Sequence, residues 1–152
     1  MSSFKEYTHI ERFGNEEVEG IELGEVYVFP KIDGTNASIW ATPEHTLAAG
    51  SRTRQLCLEH DNAGFLASLW SNQEQKSPYY SDFLDAYPTH RLFGEWLVPH
   101  SFKGYREDAW RKFYVFDVYN DETEQYLSYT AYQPLLEEFG ITYIPPLAII
   151  RN

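Results

Sequence analysis

The sequence has one cysteine, little basic charge and no long apolar run. Because Cys57 is the only cysteine among 152 residues, an internal disulfide framework is excluded, and a reducing compartment such as the cytoplasm is expected. No stretch approaches the roughly 20 apolar residues that span a bilayer. No apolar run follows a basic start either, so neither a membrane association nor a signal peptide is expected. The five histidines lack metal-ligand spacing, so no metal site is predicted.

Basic residues are scarce, and the chain is acidic overall. Twelve lysines and arginines stand against 23 acidic residues, a net charge of −11, which argues against a nucleic-acid partner. The acidity is concentrated at the two ends, where residues 1–24 hold two basic and six acidic residues and residues 121–152 hold one and five. Residues 25–120 hold nine and twelve, so the middle leaves room for a local basic surface.

Aromatic and apolar residues are abundant. They make up 17% and 43% of the chain, enough for the core of a single domain. Runs of β-branched and aromatic residues predict strands, and apolar residues at helical spacing predict helices. The predicted strands are 25–29, 37–41, 46–50, 91–98, 113–119 and 141–144, and the predicted helices are 62–71, 79–87 and 134–139.

The mixed order of these elements predicts an α+β fold with antiparallel sheets flanked by helices. The first two strands are expected to form a hairpin with Lys31 at its mouth, closed by a turn at 33–34. Pro134 suits a first helical turn and Gly140 a helix end. The prolines at 145–146 are expected to end the last strand.

The segment Lys31-Ile-Asp-Gly-Thr-Asn36 is the first of four that carry chemistry. A lysine at a strand end can project its amine into a pocket, and a deprotonated lysine is a nucleophile. Gly34 is expected to allow a backbone conformation that most residues cannot adopt. The Asn36 side chain could hydrogen-bond a ribose or a phosphate. An exposed turn with a solvated lysine is the equally weighted alternative.

Two arginines follow in Gly50-Ser-Arg-Thr-Arg54. Arg52 and Arg54 suit recognition of phosphate or ribose through forked hydrogen bonds. A solvated basic loop is the more ordinary explanation of this pentapeptide taken alone.

An acidic residue interrupts the apolar strand Leu92-Phe-Gly-Glu-Trp-Leu97. Burying the Glu95 carboxylate in such a strand costs free energy unless it has a partner. A ribose hydroxyl or an active lysine would be such a partner. Gly94 indicates a close backbone approach. A glutamate on the polar face of a half-exposed strand is the alternative of equal weight.

The aromatic run Phe113-Tyr-Val-Phe-Asp-Val-Tyr119 is suited to stacking on a purine or to forming a core strand, the usual role of such a run. Strand alternation places Phe113, Val115 and Asp117 on one face, with Tyr114, Phe116 and Val118 on the other.

Taken together and in this order, the four segments resemble the covalent nucleotidyltransferases, the superfamily of ligases and capping enzymes. The Lys-x-x-Gly-Thr-Asn motif is most similar to ATP-dependent RNA ligases of the phage RNA ligase 2 type, which include the trypanosome editing ligases. The similarity covers residues 24–119, with this motif and Phe-Gly-Glu-Trp as its specific parts.

The resemblance implies roles for five residues. Lys31 would attack the α-phosphate of ATP and form lysyl-AMP. Asn36 and Arg52 would contact sugar and phosphate, Glu95 would contact the ribose, and Phe116 would stack on adenine. With Mg²⁺ or Mn²⁺, the AMP would pass to an RNA 5′-phosphate, and an RNA 3′-hydroxyl would displace it, which implies a role in RNA repair.

The sequence departs from the family in several places. Pro30 stands where relatives usually have glutamate, and Asp33 where the closest ones often have histidine. Two later motifs are missing, a Glu-Gly pair followed by hydrophobics and lysine, and a Lys-x-Lys pair that holds the α-phosphate. No lysine follows Lys112, so residues 1–152 are expected to form an incomplete adenylyltransferase domain.

Three other functions stay open from the sequence. The first is a non-catalytic module that binds nucleotides or RNA ends, since the missing lysines would stabilise the transferring phosphate. The second is a capping enzyme or DNA ligase, which Asn36 disfavours because those usually carry arginine there. The third is an interaction domain with coincidental motifs. For Cys57 a place in the core is expected.

Overall fold

The computed structural model describes residues 3–75 and 79–151. Its elements are the strands β1 (Glu25–Val28), β2 (Thr35–Ala41), β3 (Leu47–Gly50), β4 (His90–Trp96), β5 (Phe113–Asn120), β6 (Gln125–Tyr126) and β7 (Ala148–Arg151), and the helices α1 (Phe65–Gln75), α2 (Tyr80–Ala86) and α3 (Tyr129–Glu138). Short 3-10 helices span Glu16–Val18 and Glu107–Ala109. The predicted α+β class is confirmed.

Five strands form an antiparallel sheet in the order β3-β2-β4-β5-β6, and β1 pairs with β7 in a separate two-stranded sheet. The predicted hairpin of β1 with β2 is therefore wrong. Both sides of β2 are occupied by β3 and β4, which leaves β2 no free edge for β1. Residues 29–34, with Lys31 among them, instead cross from the small sheet to the large one.

The C-terminal third corrects three further expectations. Pro134 lies inside α3, which begins five residues earlier at Tyr129. Residues 141–144 form no strand and only bridge to β5, where the Val115 N–H donates to the Thr142 carbonyl at 3.0 Å. A strand, β7, follows the prolines at 145–146, because antiparallel pairing with β1 supplies its hydrogen-bond partners. The two-residue β6 was not predicted.

One face of the large sheet is buried under the helices. Ala37, Ile39, Leu92, Val115 and Val118 from the sheet pack there against Phe65, Leu69, Phe83, Tyr132 and Leu136 from the helices. The opposite face, called the Glu95 face below, carries Asn36, Ser38, Trp40, Arg91, Phe93, Glu95 and Asp117. Of the polar motif residues, Asn36, Glu95 and Asp117 lie on this second face.

No helix in residues 3–75 and 79–151 is long and apolar enough to cross a membrane.

Candidate functional site

The lysine motif is anchored to the end of β4. The Gly34 N–H donates to Glu95 Oε2 at 2.9 Å, while the side chain of Lys31 is exposed. A Cβ on Gly34 would lie 2.4 Å from the Trp96 carbonyl oxygen. The glycine is therefore required for a close backbone approach. The unusual backbone angle expected from the sequence is not its reason, since the φ of Gly34 is not positive.

Asn36 and Glu95 are direct neighbours on β2 and β4, and both are half-buried on the same face of the sheet. Burial raises the pKa of the Glu95 carboxyl, the Gly34 N–H lowers it, and the charges of Asp33 and Lys31 act on it in opposite directions. The predicted nucleophile thus lies close enough to Glu95 for their charges to interact. Asn36 and Glu95 thus offer an amide and a carboxyl side by side, and the charge of Lys31 acts on that carboxyl.

Glu95→Gln is expected to stabilise the chain near neutral pH. Because the pKa of Glu95 is raised in the folded state, the wild-type protein loses free energy of unfolding as the pH rises through that value. Glutamine does not ionise and can still accept the Gly34 hydrogen bond. The urea midpoint of Glu95→Gln should exceed that of the wild type at about pH 7, and the difference should shrink toward about pH 4.

The exposed Glu59 provides the matched control. Glu59→Gln should leave the urea midpoint unchanged at both pH values. If Glu95→Gln behaves in the same way, the ionised Glu95 carboxylate is not disfavoured by folding.

Asp33 joins the lysine motif to the segment that follows β4. Its Oδ2 accepts the Phe102 N–H at 2.6 Å, its Oδ1 lies 3.3 Å from His100 Nδ1, and its own N–H donates to the Tyr105 hydroxyl at 2.9 Å. The Phe102 N–H lowers the pKa of Asp33, burial opposes this, and His100 lowers the pKa further. The sequence indicated only a turn at Asp33, because its partners are about 70 residues away.

An irregularity in the pairing of β4 with β5 changes which residues of β5 share a face. The register shifts between Phe93 and Gly94, so Phe93 pairs with Asp117 whereas Gly94 pairs with Val115. Val118 is buried in the helix-covered core together with Val115. The predicted alternation is therefore wrong from Asp117 onward, because the extra residue of the bulge places Asp117 on the Glu95 face and Val118 in the core.

Tyr7 covers the part of the Glu95 face where Phe116 lies. Its ring centroid is 5.2 Å from that of Phe93 and 5.0 Å from that of Phe116, and its hydroxyl donates to Asp117 Oδ2. Burial raises the pKa of the Tyr7 phenol, and the Asp117 carboxylate raises it further. The N-terminal segment thus positions the predicted stacking residue. No local pattern in the sequence distinguishes Tyr7, because the residues it contacts are far away in the chain.

Tyr7→Phe is expected to lower the free energy of unfolding by about 1–2 kcal/mol. The substitution keeps the ring contacts but leaves the half-buried Asp117 carboxylate without this donor. Urea denaturation measures the loss. Tyr79, whose side chain is 42% exposed, is the control, and Tyr79→Phe should change little. Equal effects of the two substitutions would contradict the role given to the Tyr7 hydroxyl.

The two arginines after β3 differ in what they do. Arg54 is a structural residue, since its guanidinium donates to the carbonyl oxygens of His60 and Asp61 at 2.5 and 3.1 Å. The Asp61 carboxylate in turn accepts N–H groups at the start of α1, including that of Leu66 at 3.0 Å. Arg52 is exposed, and no hydrogen bond or ion pair described for the chain joins it to Lys31 or Glu95.

Two other features lie outside this cluster. Cys57 is exposed, contrary to the expectation that it belongs to the core. Within residues 3–75 and 79–151, no group of three or more histidine, cysteine, aspartate or glutamate side chains is arranged to hold a metal ion. An open depression lined by His45, Thr46, Leu47, Trp70 and Ser81 contains none of the motif residues.

The motifs gathered here lie within a segment that matches a known family. Residues 24–151 match the family model described as RNA ligase. The chain belongs to the RNA ligase family. The match includes the lysine motif, the Glu95 strand and both sheets. A comparison with curated protein sequences found no significant match.

Solved structures of RNA ligases share this fold. A mutant of Naegleria gruberi RNA ligase with AMP and Mn superposes with a TM-score of 0.66 at 21% identity, covering 90% of this chain and 40% of that chain. An archaeal ATP-dependent RNA ligase also gives a TM-score of 0.66 at 21% identity, covering 84% of this chain and 32% of that chain. The chain thus spans well under half the length of these ligases.

Proposed function

We propose that this RNA ligase family member accepts AMP from ATP on Lys31, as the first step in joining RNA ends. The observation that supports the proposal is the hydrogen bond from Gly34 to Glu95, which holds the lysine motif against the strand whose carboxyl is proposed to bind the ribose. Base and sugar contacts would then place the α-phosphate near the Lys31 amine. Such positioning is a large part of the catalysis of phosphoryl transfer.

In the proposed reaction, the deprotonated Lys31 amine attacks the α-phosphate of ATP. A bond forms between Nζ and phosphorus, the bond to the bridging oxygen breaks, and pyrophosphate leaves. Asn36 and Arg52 contact sugar and phosphate, Glu95 contacts the ribose, and Phe116 stacks on adenine. The complete ligase then transfers the AMP to an RNA 5′-phosphate, and a 3′-hydroxyl displaces it.

A divalent cation, Mg²⁺ or Mn²⁺, fits this site through the nucleotide. The described part of the chain has no cluster of metal ligands, so the triphosphate would supply most of them, as is common for Mg²⁺. One Asp33 oxygen is already taken by the Phe102 N–H and one Glu95 oxygen by the Gly34 N–H. When bound, the cation neutralises phosphate charge and orients the leaving pyrophosphate.

A second candidate is nucleotide binding without transfer. Two carboxylates are near the lysine motif, that of Asp33 within it and that of Glu95, which accepts the Gly34 N–H, whereas the transfer step needs cations at the phosphates. Base stacking and ribose contacts need no such cation and would still allow ATP to bind.

Intact mass after incubation with ATP and MnCl₂ tests the proposal, with calorimetry of ATP binding alongside. A gain of one AMP supports the transfer, and heat of binding without that gain supports the second candidate. GTP in place of ATP tests the capping-enzyme alternative, and nicked RNA against nicked DNA tests which ends are joined. A chain that shows neither mass gain nor binding would contradict both candidates.

A further inference from the structure

The segment 99–112, between β4 and β5, differs in charge from the rest of the molecule. It contains four basic and two acidic residues, a net +2, whereas the remaining residues hold eight basic and 21 acidic ones, a net −13. An RNA backbone, which is a dense line of negative charge, is repelled by most of this chain but attracted here.

The base of this segment is closed by backbone hydrogen bonds. The Leu97 N–H donates to the Lys112 carbonyl at 3.0 Å, and the Arg111 N–H donates to the Leu97 carbonyl at 2.8 Å. Within the segment, the Ala109 carbonyl accepts a hydrogen bond from the Tyr114 hydroxyl of β5 at 2.9 Å. These bonds give the segment a defined shape, so that it can present side chains in fixed positions.

Asp33 holds the same segment beside the lysine motif. Three contacts do this, from the Phe102 N–H at 2.6 Å, from His100 at 3.3 Å and to the Tyr105 hydroxyl at 2.9 Å. Asp33 is two residues from Lys31, so the positive segment lies next to the proposed nucleophile. An RNA strand bound along segment 99–112 would have its end near Lys31, where the AMP would be accepted.

An exposed aromatic ring stands at this position. Phe102 is 51% exposed, and its ring meets that of Tyr105 in a T-shaped contact at a centroid distance of 4.8 Å. Exposed aromatic rings next to cations are the usual platform for bases of single-stranded nucleic acid. Lys103 follows directly and is exposed. Arg106 is exposed too, but it pairs with Asp108 at 3.3 Å, so Lys103 is the cation that stands directly beside the exposed ring in the chain.

We propose that segment 99–112 binds the single-stranded RNA next to the end to be joined, with Phe102 stacked on a base and Lys103 on a backbone phosphate. The inference rests on the proposed ligase function, to which it adds a site for the RNA strand. It predicts that Phe102 and Lys103 act on RNA affinity and leave the acceptance of AMP unchanged.

Fluorescence anisotropy with a short, labelled, 5′-phosphorylated single-stranded RNA tests this on the full chain. Phe102→Ala is expected to weaken binding roughly 5- to 100-fold, because a stacked base is lost, and Phe102→Tyr should restore it. Lys103→Gln should weaken binding and lower the slope of log affinity against log salt by about one unit. Arg151→Gln, which removes an exposed charge from β7, should stay within about twofold of the wild type.

The mass gain with ATP, measured on the same variants, separates this inference from the proposed function. If the wild type does not bind the RNA, or if Phe102→Ala and Lys103→Gln bind like Arg151→Gln, the RNA site is wrong even where AMP is accepted. If these variants lose the AMP adduct but keep RNA affinity, the segment serves the nucleotide and the inference is overturned. If RNA affinity falls as expected but the wild type accepts no AMP, the RNA site stands and the proposed transfer fails.

Discussion

Lys31→Arg is expected to abolish the AMP adduct, lowering the rate of its formation by on the order of a thousandfold or more. Arginine keeps the positive charge and much of the length of lysine, but it is not deprotonated in proteins and so offers no nucleophile. Because Lys31 is exposed, the substitution should leave the fold intact. Intact mass after incubation with ATP and MnCl₂ measures the adduct, and calorimetry should show that ATP still binds.

Peptide mapping supplies the control for this prediction. In the wild-type protein the AMP should be found only on the peptide that contains Lys31. The other lysines provide an internal comparison, since a chemically non-specific adduct would spread over them. An AMP adduct that persists in Lys31→Arg would show that another residue is the nucleophile, and the roles assigned around Glu95 would then fail with it.

Gly94→Ala is expected to lower the free energy of unfolding by about 3 kcal/mol. A Cβ at this position would lie 2.3 Å from the Tyr114 carbonyl oxygen and 2.7 Å from the Phe113 ring. The carbonyl belongs to the neighbouring strand, so β4 and β5 must separate beside Glu95 to admit the methyl group. Urea denaturation measures the loss, and the affinity for ATP should fall as the Glu95 strand moves.

Gly140 is the matched control for Gly94. It ends α3 with a φ of +65°, and nothing lies within 4 Å of a Cβ placed there. Gly140→Ala should therefore cost only the strain of the left-handed backbone, about 1–2 kcal/mol. If the two substitutions were equally mild, β4 and β5 would not be in the tight contact that the geometry shows.

The local sequence determined most of the elements but not all of their partners. The strand at 90–96 and the strand at 113–120 were predicted to within one or two residues, because β-branched and aromatic runs report local preference directly. The pairing of β1 with β7 joins residues that are 120 or more positions apart. No local pattern carries that information, so the hairpin expected for β1 and β2 was the simplest but wrong choice.

The candidate site shows the same division. The residue chemistry by itself drew attention to Lys31 and Glu95, because an amine after a strand and a carboxyl within an apolar run are chemically conspicuous. The resemblance to RNA ligases assigned the roles of Asn36, Arg52 and Phe116. Their roles stay predictions until the adduct and affinities are measured. The tertiary structure added Tyr7 on Asp117, since an ordinary tyrosine is notable only through the long-range contact it makes.

The sequence determined the family and the α+β class of this protein, because its motifs and apolar patterns each lie within a short, continuous segment. Tertiary structure alone decided three further features: the crossing of Lys31 between two sheets, the bulge that turns Asp117 toward the Glu95 face, and the positive segment 99–112 fixed to Asp33. Each of these depends on contacts between residues that are distant in the sequence. These contacts are stabilised by strand pairing and burial in the folded chain, and local propensity does not encode them.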